Sequence, residues 1–178
     1  MLERLWRPWV WRALAAFDRR HRYDSVYLRD LFDANPRAFF QFNKVITASR
    51  FHEGVPAACG FAARFVATRH EGCGTCAQLM LAMAAEAGVE RRVLQALIDD
   101  DPAAMGDEAA LGWHYAHAVL ARSADASEWA DRVAARHGRP ALASLALGVV
   151  LARCYPTMKV ALGHAPACEA LQLPNPQP

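Results

Sequence analysis

Apolar residues recur at intervals of three and four along almost the whole chain, and no stretch alternates regularly between apolar and polar residues. The first spacing places apolar side chains on one face of an α-helix, whereas alternation is the pattern of a half-buried strand. We therefore predict an all-α fold of about eight or nine helices. Proline and glycine mark the expected helix boundaries: Pro8, Pro36, Gly54, Gly88, Gly138 and Pro156.

The pattern divides the chain into an N-terminal helical arm (residues 1–51), a main helical domain (52–170) and a proline-rich tail (171–178) that we expect to be loose. The arm begins with an amphipathic segment in which arginines lie between Trp6, Trp9 and Trp11. Such a helix can lie on a membrane surface. We favour packing against the protein's own core or a partner subunit, because most apolar stripes are core faces.

Composition narrows the class of protein. The chain has 178 residues, 54% of them hydrophobic and 21% charged, which suits a folded domain rather than a disordered one. The net charge of +2 is too small for a nucleic-acid-binding footprint. The longest apolar run, residues 141–152, is shorter than the roughly 20 residues of a membrane span. The N-terminus lacks the pattern of a secretory signal. We expect a cytoplasmic protein with no transmembrane segment.

The stretch Glu71-Gly72-Cys73-Gly74-Thr75-Cys76 carries the clearest chemistry. An apolar helical pattern follows it directly, so the two cysteines are predicted to lie at a helix N-terminus. The unpaired N–H groups and the dipole of that end favour a thiolate, which lowers a cysteine pKa. The spacing also allows a disulfide, and we predict a dithiol/disulfide redox couple. By analogy with other such pairs, Cys73 is expected to be the more exposed sulfur.

The chain has five cysteines, and an odd number argues against a structural disulfide framework. A zinc site formed by Cys73, Cys76, His114 and His117 is an alternative, since histidines three apart share a helix face. The acidic residues 99–101 are better explained as the end of a helix. No cofactor is expected, because no nucleotide-binding motif is present. Outside the zinc alternative, no metal is expected. The five cysteines are Cys59, Cys73, Cys76, Cys154 and Cys168.

Residues 67–76, followed by an alanine-rich helix ending at residues 87–89, resemble the AhpD-like superfamily of alkylhydroperoxidase D and carboxymuconolactone decarboxylase. Residues 158–163 resemble the end of its last long helix. The resemblance implies that Cys73 and Cys76 are a redox centre. It also implies a hydroperoxide or disulfide substrate, a thiol or lipoyl protein as reductant, and a homo-oligomer, commonly a trimer or hexamer.

The sequence departs from the peroxidase branch of that superfamily at two positions. The branch has a proton relay of a Glu twelve residues before the first cysteine and a His four residues after the second. Phe61 and Met80 occupy these positions here, and neither side chain can carry a proton. His70 and Glu71 are the nearest substitutes in sequence, so we add them to Cys73 and Cys76 as candidate catalytic residues. Four residues more distant in sequence could approach the cysteine pair through the fold and replace the relay: Glu53, Cys59, His114 and His117.

Three functions follow from these observations. A thiol-dependent oxidoreductase is the function that the cysteine pair and its helical setting favour. The first alternative is a non-redox oligomeric module of the carboxymuconolactone decarboxylase family, acting as a decarboxylase or a binding protein. The second is the zinc site. Reactivity of the two thiols separates the first alternative from the favoured function, and metal content separates the second.

Overall fold

The computed structural model describes residues 5–164 and 170–174, which form ten α-helices and no strand. Only Arg153 separates the last two helices, which form one continuous rod, Arg139–Ala161. The predicted all-α fold of eight or nine helices is therefore confirmed. The helices are α1 (Arg7–His21), α2 (Val26–Ala34), α3 (Pro36–Ser49), α4 (Ala57–His70), α5 (Gly74–Glu86), α6 (Arg91–Asp99), α7 (Asp107–Ala121), α8 (Ala126–His137), α9 (Arg139–Ala152) and α10 (Cys154–Ala161).

Helix α4 lies at the centre of the fold and packs against α5, α7 and α9. Its crossing with α7 is very close, because Gly112 of α7 lies against the backbone of Cys59. A Cβ atom at Gly112 would lie 2.1 Å from the Cys59 carbonyl oxygen. Glycine is therefore required at this position by contact with backbone, which cannot move aside as a flexible side chain can.

The ends of the helices follow the local signals in the sequence. Pro36 opens α3, and the Asn35 side chain accepts a hydrogen bond from the backbone N–H of Ala38 at 3.2 Å. Gly72 has a φ of +70°, a left-handed conformation that turns the chain between α4 and α5. Cys73 follows it immediately and precedes the first residue of α5.

The core of the described residues consists of three clusters. One, called here the α5–α6 cluster, includes Leu81, Leu94 and Leu97. A second joins α4, α7, α8 and α9. The third, called here the cysteine cluster, combines the arm with the cysteine pair, so the arm helps to form the protein's core. Its buried members are Tyr23, Tyr27, Leu28, Leu31, Phe32, Phe39, Cys73 and Cys76.

The aromatic residues of the arm take two different positions. Phe32, Phe39 and Phe40 pack edge-on, with ring centroids 5.3 to 6.0 Å apart, so this aromatic stripe is part of the core. Trp6 and Trp9 are 60% and 67% exposed. Of the expected packing on the protein's own core or on a partner subunit, the first is therefore wrong for these two residues, and the second stays a prediction.

Part of the C-terminal tail is docked. The Gln78 side chain accepts a hydrogen bond from the Gln172 backbone N–H at 2.8 Å and donates one to its carbonyl at 2.9 Å. Leu171 and Leu173 pack against the α5–α6 cluster. The prediction of a loose tail is therefore wrong for residues 171–174. Residues 175–178 and Cys168 lie outside the described residues.

The rod Arg139–Ala161 is the one helix of the described residues that is long and apolar enough to cross a membrane by length and composition. Of its most apolar window, 39% is buried inside the fold. Its first part, α9, packs against α3, α4 and α8. A core helix shows the same properties, so the finding is compatible with the expectation of no transmembrane segment.

Substitution of Gly112→Ala is expected to lower the free energy of unfolding by at least about 3 kcal/mol, because the new methyl group meets backbone at the α4–α7 crossing. Urea unfolding followed by circular dichroism measures this. Gly60→Ala is the matched control, since its Cβ would lie 3.3 Å from the Val55 side chain. That change is expected to alter stability by less than about 1 kcal/mol. Equal stability of the two variants would contradict the close crossing.

Candidate active site

The cysteine pair lies at the N-terminus of α5, as the sequence predicts. Cys73 is the N-cap residue, with extended backbone angles (φ −101°, ψ 94°), and Cys76 lies in the first helical turn. Both are free thiols. The N-cap position directs backbone N–H groups and the positive end of the helix dipole toward the sulfurs. This end of α5 therefore favours negative charge on one of them.

Both sulfurs are buried beneath the arm. Cys73 is 1% exposed and Cys76 is 3% exposed. The expectation that Cys73 is the more exposed sulfur is wrong, because residues of α2 and the segment before it cover the pair together with Met158 of α10. A reagent that reaches either sulfur has to displace part of this cover.

A buried lysine stands behind Cys73. The Lys159 ammonium, on α10, donates a hydrogen bond to the Thr75 hydroxyl at 3.1 Å. The Thr75 hydroxyl lies 3.4 Å from the Cys73 sulfur. Lys159 is buried, and no described carboxylate forms an ion pair with it. Thr75 therefore links this ammonium to the Cys73 sulfur.

The surroundings of Cys73 lower its pKa from the ordinary value of 9.0 to about 5. Hydrogen bonding from the Cys76 thiol has the largest effect, and burial opposes it. The Thr75 hydroxyl, the Cys76 backbone N–H and the charge of Lys159 lower the pKa further. The Cys76 backbone N–H lowers the pKa of Cys73 even though the Cys73 side chain does not form a capping hydrogen bond. These contacts therefore favour the thiolate form of Cys73.

Cys76 has the opposite character. Its hydrogen bond to Cys73 and its burial raise the pKa of Cys76, and a hydrogen bond from Tyr23 partly opposes this. The Tyr23 hydroxyl lies 3.6 Å from the Cys76 sulfur. Burial also raises the pKa of Tyr23 and of Tyr27 beside it. The site therefore combines a sulfur whose pKa is lowered with one whose pKa is raised. Tyr23 contacts the Cys76 sulfur, and Thr75 links the Cys73 sulfur to the lysine.

The two substitutes predicted from the sequence lie elsewhere. The Glu71 carboxylate pairs with the Arg153 guanidinium at 2.5 Å and accepts a hydrogen bond from the Thr157 hydroxyl at 3.3 Å. His70 is exposed at the end of α4. Among the described hydrogen bonds and ion pairs, neither residue contacts Cys73. Glu71 instead ties the turn before α5 to the rod.

The two positions of the family relay belong to a different part of the core. Phe61 and Met80 are half-buried and pack against the α5–α6 cluster, together with the docked tail. Of the more distant substitutes, Glu53 is exposed, and Cys59 is buried in the second cluster. Burial raises the pKa of Cys59 to about 12. The structure brings none of these four side chains into the cysteine cluster.

The zinc alternative is not supported by the described residues. His114 stacks on Trp129 with ring centroids 4.4 Å apart, and His117 lies 3.9 Å from the Trp113 ring. In the described residues, no group of three or more His, Cys, Asp or Glu side chains is arranged to hold a metal. The two histidines therefore serve to pack α7 against aromatic rings.

Sequence reasoning missed Tyr23, Thr75 and Lys159. A signal for the lysine does exist, because Lys44 and Lys159 are the only lysines in an arginine-rich chain and Lys159 interrupts an apolar helix. A charged residue at such a position needs a buried partner. Tyr23 offers no comparable signal, because it belongs to the arm and reaches the cysteines only through the tertiary fold.

The surroundings of the pair thus lower the pKa of one sulfur and raise that of the other. The sequence and structure match no protein-family model, no curated protein and no solved structure. A functional assignment therefore depends on the geometry of the site itself.

Proposed function

We propose that this protein is a thiol-dependent oxidoreductase of the AhpD-like type, which reduces hydroperoxides or disulfides through Cys73 and Cys76. One observation carries the proposal: the Cys73 sulfur, at the N-terminus of α5, lies 3.4 Å from the Thr75 hydroxyl, which accepts a hydrogen bond from the buried Lys159 ammonium. The same surroundings lower the pKa of Cys73 and raise that of Cys76. A nucleophilic thiolate next to a protonated thiol is the arrangement that a two-cysteine redox cycle needs at its start.

With a hydroperoxide, the Cys73 thiolate attacks the terminal oxygen and the O–O bond breaks. Cys73 becomes a sulfenic acid, and the alkoxide leaves as the alcohol after taking a proton. Lys159 is the ammonium closest to that event and can pass a proton through Thr75, to be replaced from solvent. Lys159 and Thr75 thus take the proton-relay role that a Glu and a His have in the peroxidase branch of the AhpD-like superfamily.

The second step forms the disulfide. The Cys76 sulfur attacks the Cys73 sulfur, the S–O bond breaks, and the hydroxide leaves with the Cys76 proton as water. An external dithiol, such as a thiol or lipoyl protein, then supplies two electrons and two protons and restores both thiols. With a disulfide substrate, Cys73 forms a mixed disulfide and Cys76 resolves it, which releases the second substrate thiol.

The residues that cover the two sulfurs limit the access of substrates to them. Both cysteines lie beneath Tyr23 and Tyr27, so attack on a substrate requires local displacement of the segment that joins α1 and α2. Such a cover keeps water and unrelated thiols away from the thiolate between turnovers. A small hydroperoxide needs less displacement than a protein disulfide does.

The proposal extends to assembly and location. We propose a cytoplasmic homo-oligomer, a trimer or hexamer, as the resemblance to the AhpD-like superfamily implies. The rod supports this, because Leu147, Val150 and Val160 leave large apolar side chains exposed along one helix. Burial of such a stripe against another copy removes apolar surface from water.

Treatment of the folded, reduced protein with a low concentration of organic hydroperoxide is expected to oxidise the cysteine pair selectively. The tryptic peptide of residues 70–91 contains both cysteines and ends at the first basic residue after them. After alkylation and digestion, mass spectrometry should find this peptide as an unalkylated internal disulfide. Cys59 and Cys154 should remain free thiols, because their pKa values are raised.

Two variants divide the roles of the sulfurs. Cys76→Ser is expected to stop the oxidation at a Cys73 sulfenic acid, which a dimedone probe traps, whereas Cys73→Ser should remove reactivity. Equal reactivity of all the cysteines in the wild-type protein would overturn the redox function. The non-redox binding module would then be the better explanation.

Substitution of Lys159→Met is expected to raise the pKa of Cys73 above about 5, because it removes a positive charge that lowers this pKa. The ultraviolet absorbance of the thiolate, measured against pH with Cys73→Ser as the baseline, gives this pKa. Lys44→Met is the matched control, because Lys44 is exposed on α3 and is the only other lysine. An unchanged Cys73 pKa in Lys159→Met would contradict the role of the lysine.

The same pKa has a consequence for stability, and its sign can be stated. Because folding lowers the pKa of Cys73, this residue stabilises the fold fully above its ordinary pKa of 9.0 and loses that contribution as the pH falls toward about 5. The free energy of unfolding should therefore fall less steeply between pH 9 and 5 in Cys73→Ser than in the wild-type protein. Identical slopes in urea titrations would contradict the thiolate assignment.

A further inference from the structure

Helix α1 carries apolar side chains on two different faces. Its inner face packs Val10, Leu14 and Phe17 against the cysteine cluster. On the outside, Trp6 and Trp9 are exposed at its N-terminal end, next to the exposed Leu5. The inner stripe is enough to hold the helix on the protein, so the outer tryptophans have no role in the described fold. Large exposed apolar groups placed together mark a contact site.

The outer surface of α1 is also positively charged. Arg12, Arg19 and Arg22 are exposed, and none forms an ion pair in the part of the chain described. Asp18 is the only acidic residue between positions 5 and 22, and it lies on the inner side. Its carboxylate pairs with the Arg29 guanidinium at 2.6 Å. The tryptophans thus share their surface with uncompensated cations.

We propose that the outer face of α1 docks the protein on an anionic phospholipid surface. Tryptophan is favoured at the level of the lipid headgroups, where its ring is buried and its N–H remains hydrated. Arginines beside it attract anionic headgroups. A helix of fifteen residues is too short to span a bilayer, so α1 lies along the surface with Trp6 and Trp9 inserted. The proposal is independent of the thiol chemistry.

Charge decides between this occupant and a two-fold contact with a second copy of the chain. In a two-fold symmetric contact, the same patch faces itself. Arg12 and Arg19 of one copy would then face the arginines of the other, and the residues of the patch that the structure describes include no carboxylate to compensate them. An anionic lipid surface satisfies both the apolar and the cationic parts of the face.

The experiment is co-sedimentation of the full chain with vesicles. Binding is expected to vesicles of phosphatidylglycerol and phosphatidylcholine, to be much weaker with phosphatidylcholine alone, and to fall as salt is added. The double substitutions Trp6→Ser with Trp9→Ser, and Arg12→Gln with Arg19→Gln, should each lower the partition coefficient about tenfold or more. All four residues are exposed, so the fold should be retained, and circular dichroism checks this.

The matched control changes an exposed apolar residue outside α1 and the rod, Phe51→Ser, and should leave vesicle binding unchanged. Equal binding to both kinds of vesicle, or loss of binding in this control instead of the tryptophan variant, would overturn the proposal. So would light scattering that shows an oligomer which dissociates only when Trp6 and Trp9 are replaced. That result would assign the face to a second copy of the chain.

Discussion

A buried ammonium group requires an anion nearby, and the carboxylates of the described residues leave Lys159 without one. Removing a lysine from water costs several kcal/mol, on the order of the total stability of a small domain, unless its charge is compensated. The Cys73 thiolate supplies that compensation through Thr75. The same lysine makes the thiolate tolerable at a buried position. The two charges therefore depend on each other, and α5, α10 and the arm that covers them are held in one arrangement.

Much of the fold can be predicted from the sequence because the signals are local. The apolar spacing of three and four predicts helices, Pro36 opens α3, and Gly72 turns the chain directly before α5. The position of Cys73 and Cys76 at a helix N-terminus follows from the same signals, since it needs only the residues on either side of the pair.

The remainder of the site could not be predicted, because it is formed by residues far apart in the chain. Tyr23 contacts Cys76 across 53 positions, and Lys159 contacts Thr75 across 84. No spacing rule connects residues at such distances. The prediction that Cys73 is the more exposed sulfur is wrong for the same reason. The residues that cover it belong to the N-terminal arm, which lies outside the part of the chain that resembles the AhpD-like superfamily. Glu71 is near in sequence, yet Arg153 draws its carboxylate to the rod.

The interaction of Lys159 with the thiolate also affects the reduction potential of the cysteine pair. Formation of a disulfide would convert the negative sulfur into a neutral one and leave the ammonium buried without a counter-charge. The oxidised form would thus bear an electrostatic cost that the reduced form does not. A disulfide whose reduced form is stabilised in this way accepts electrons readily and is a stronger oxidant than an ordinary disulfide. Its disulfide would be short-lived wherever a reductant can reach it.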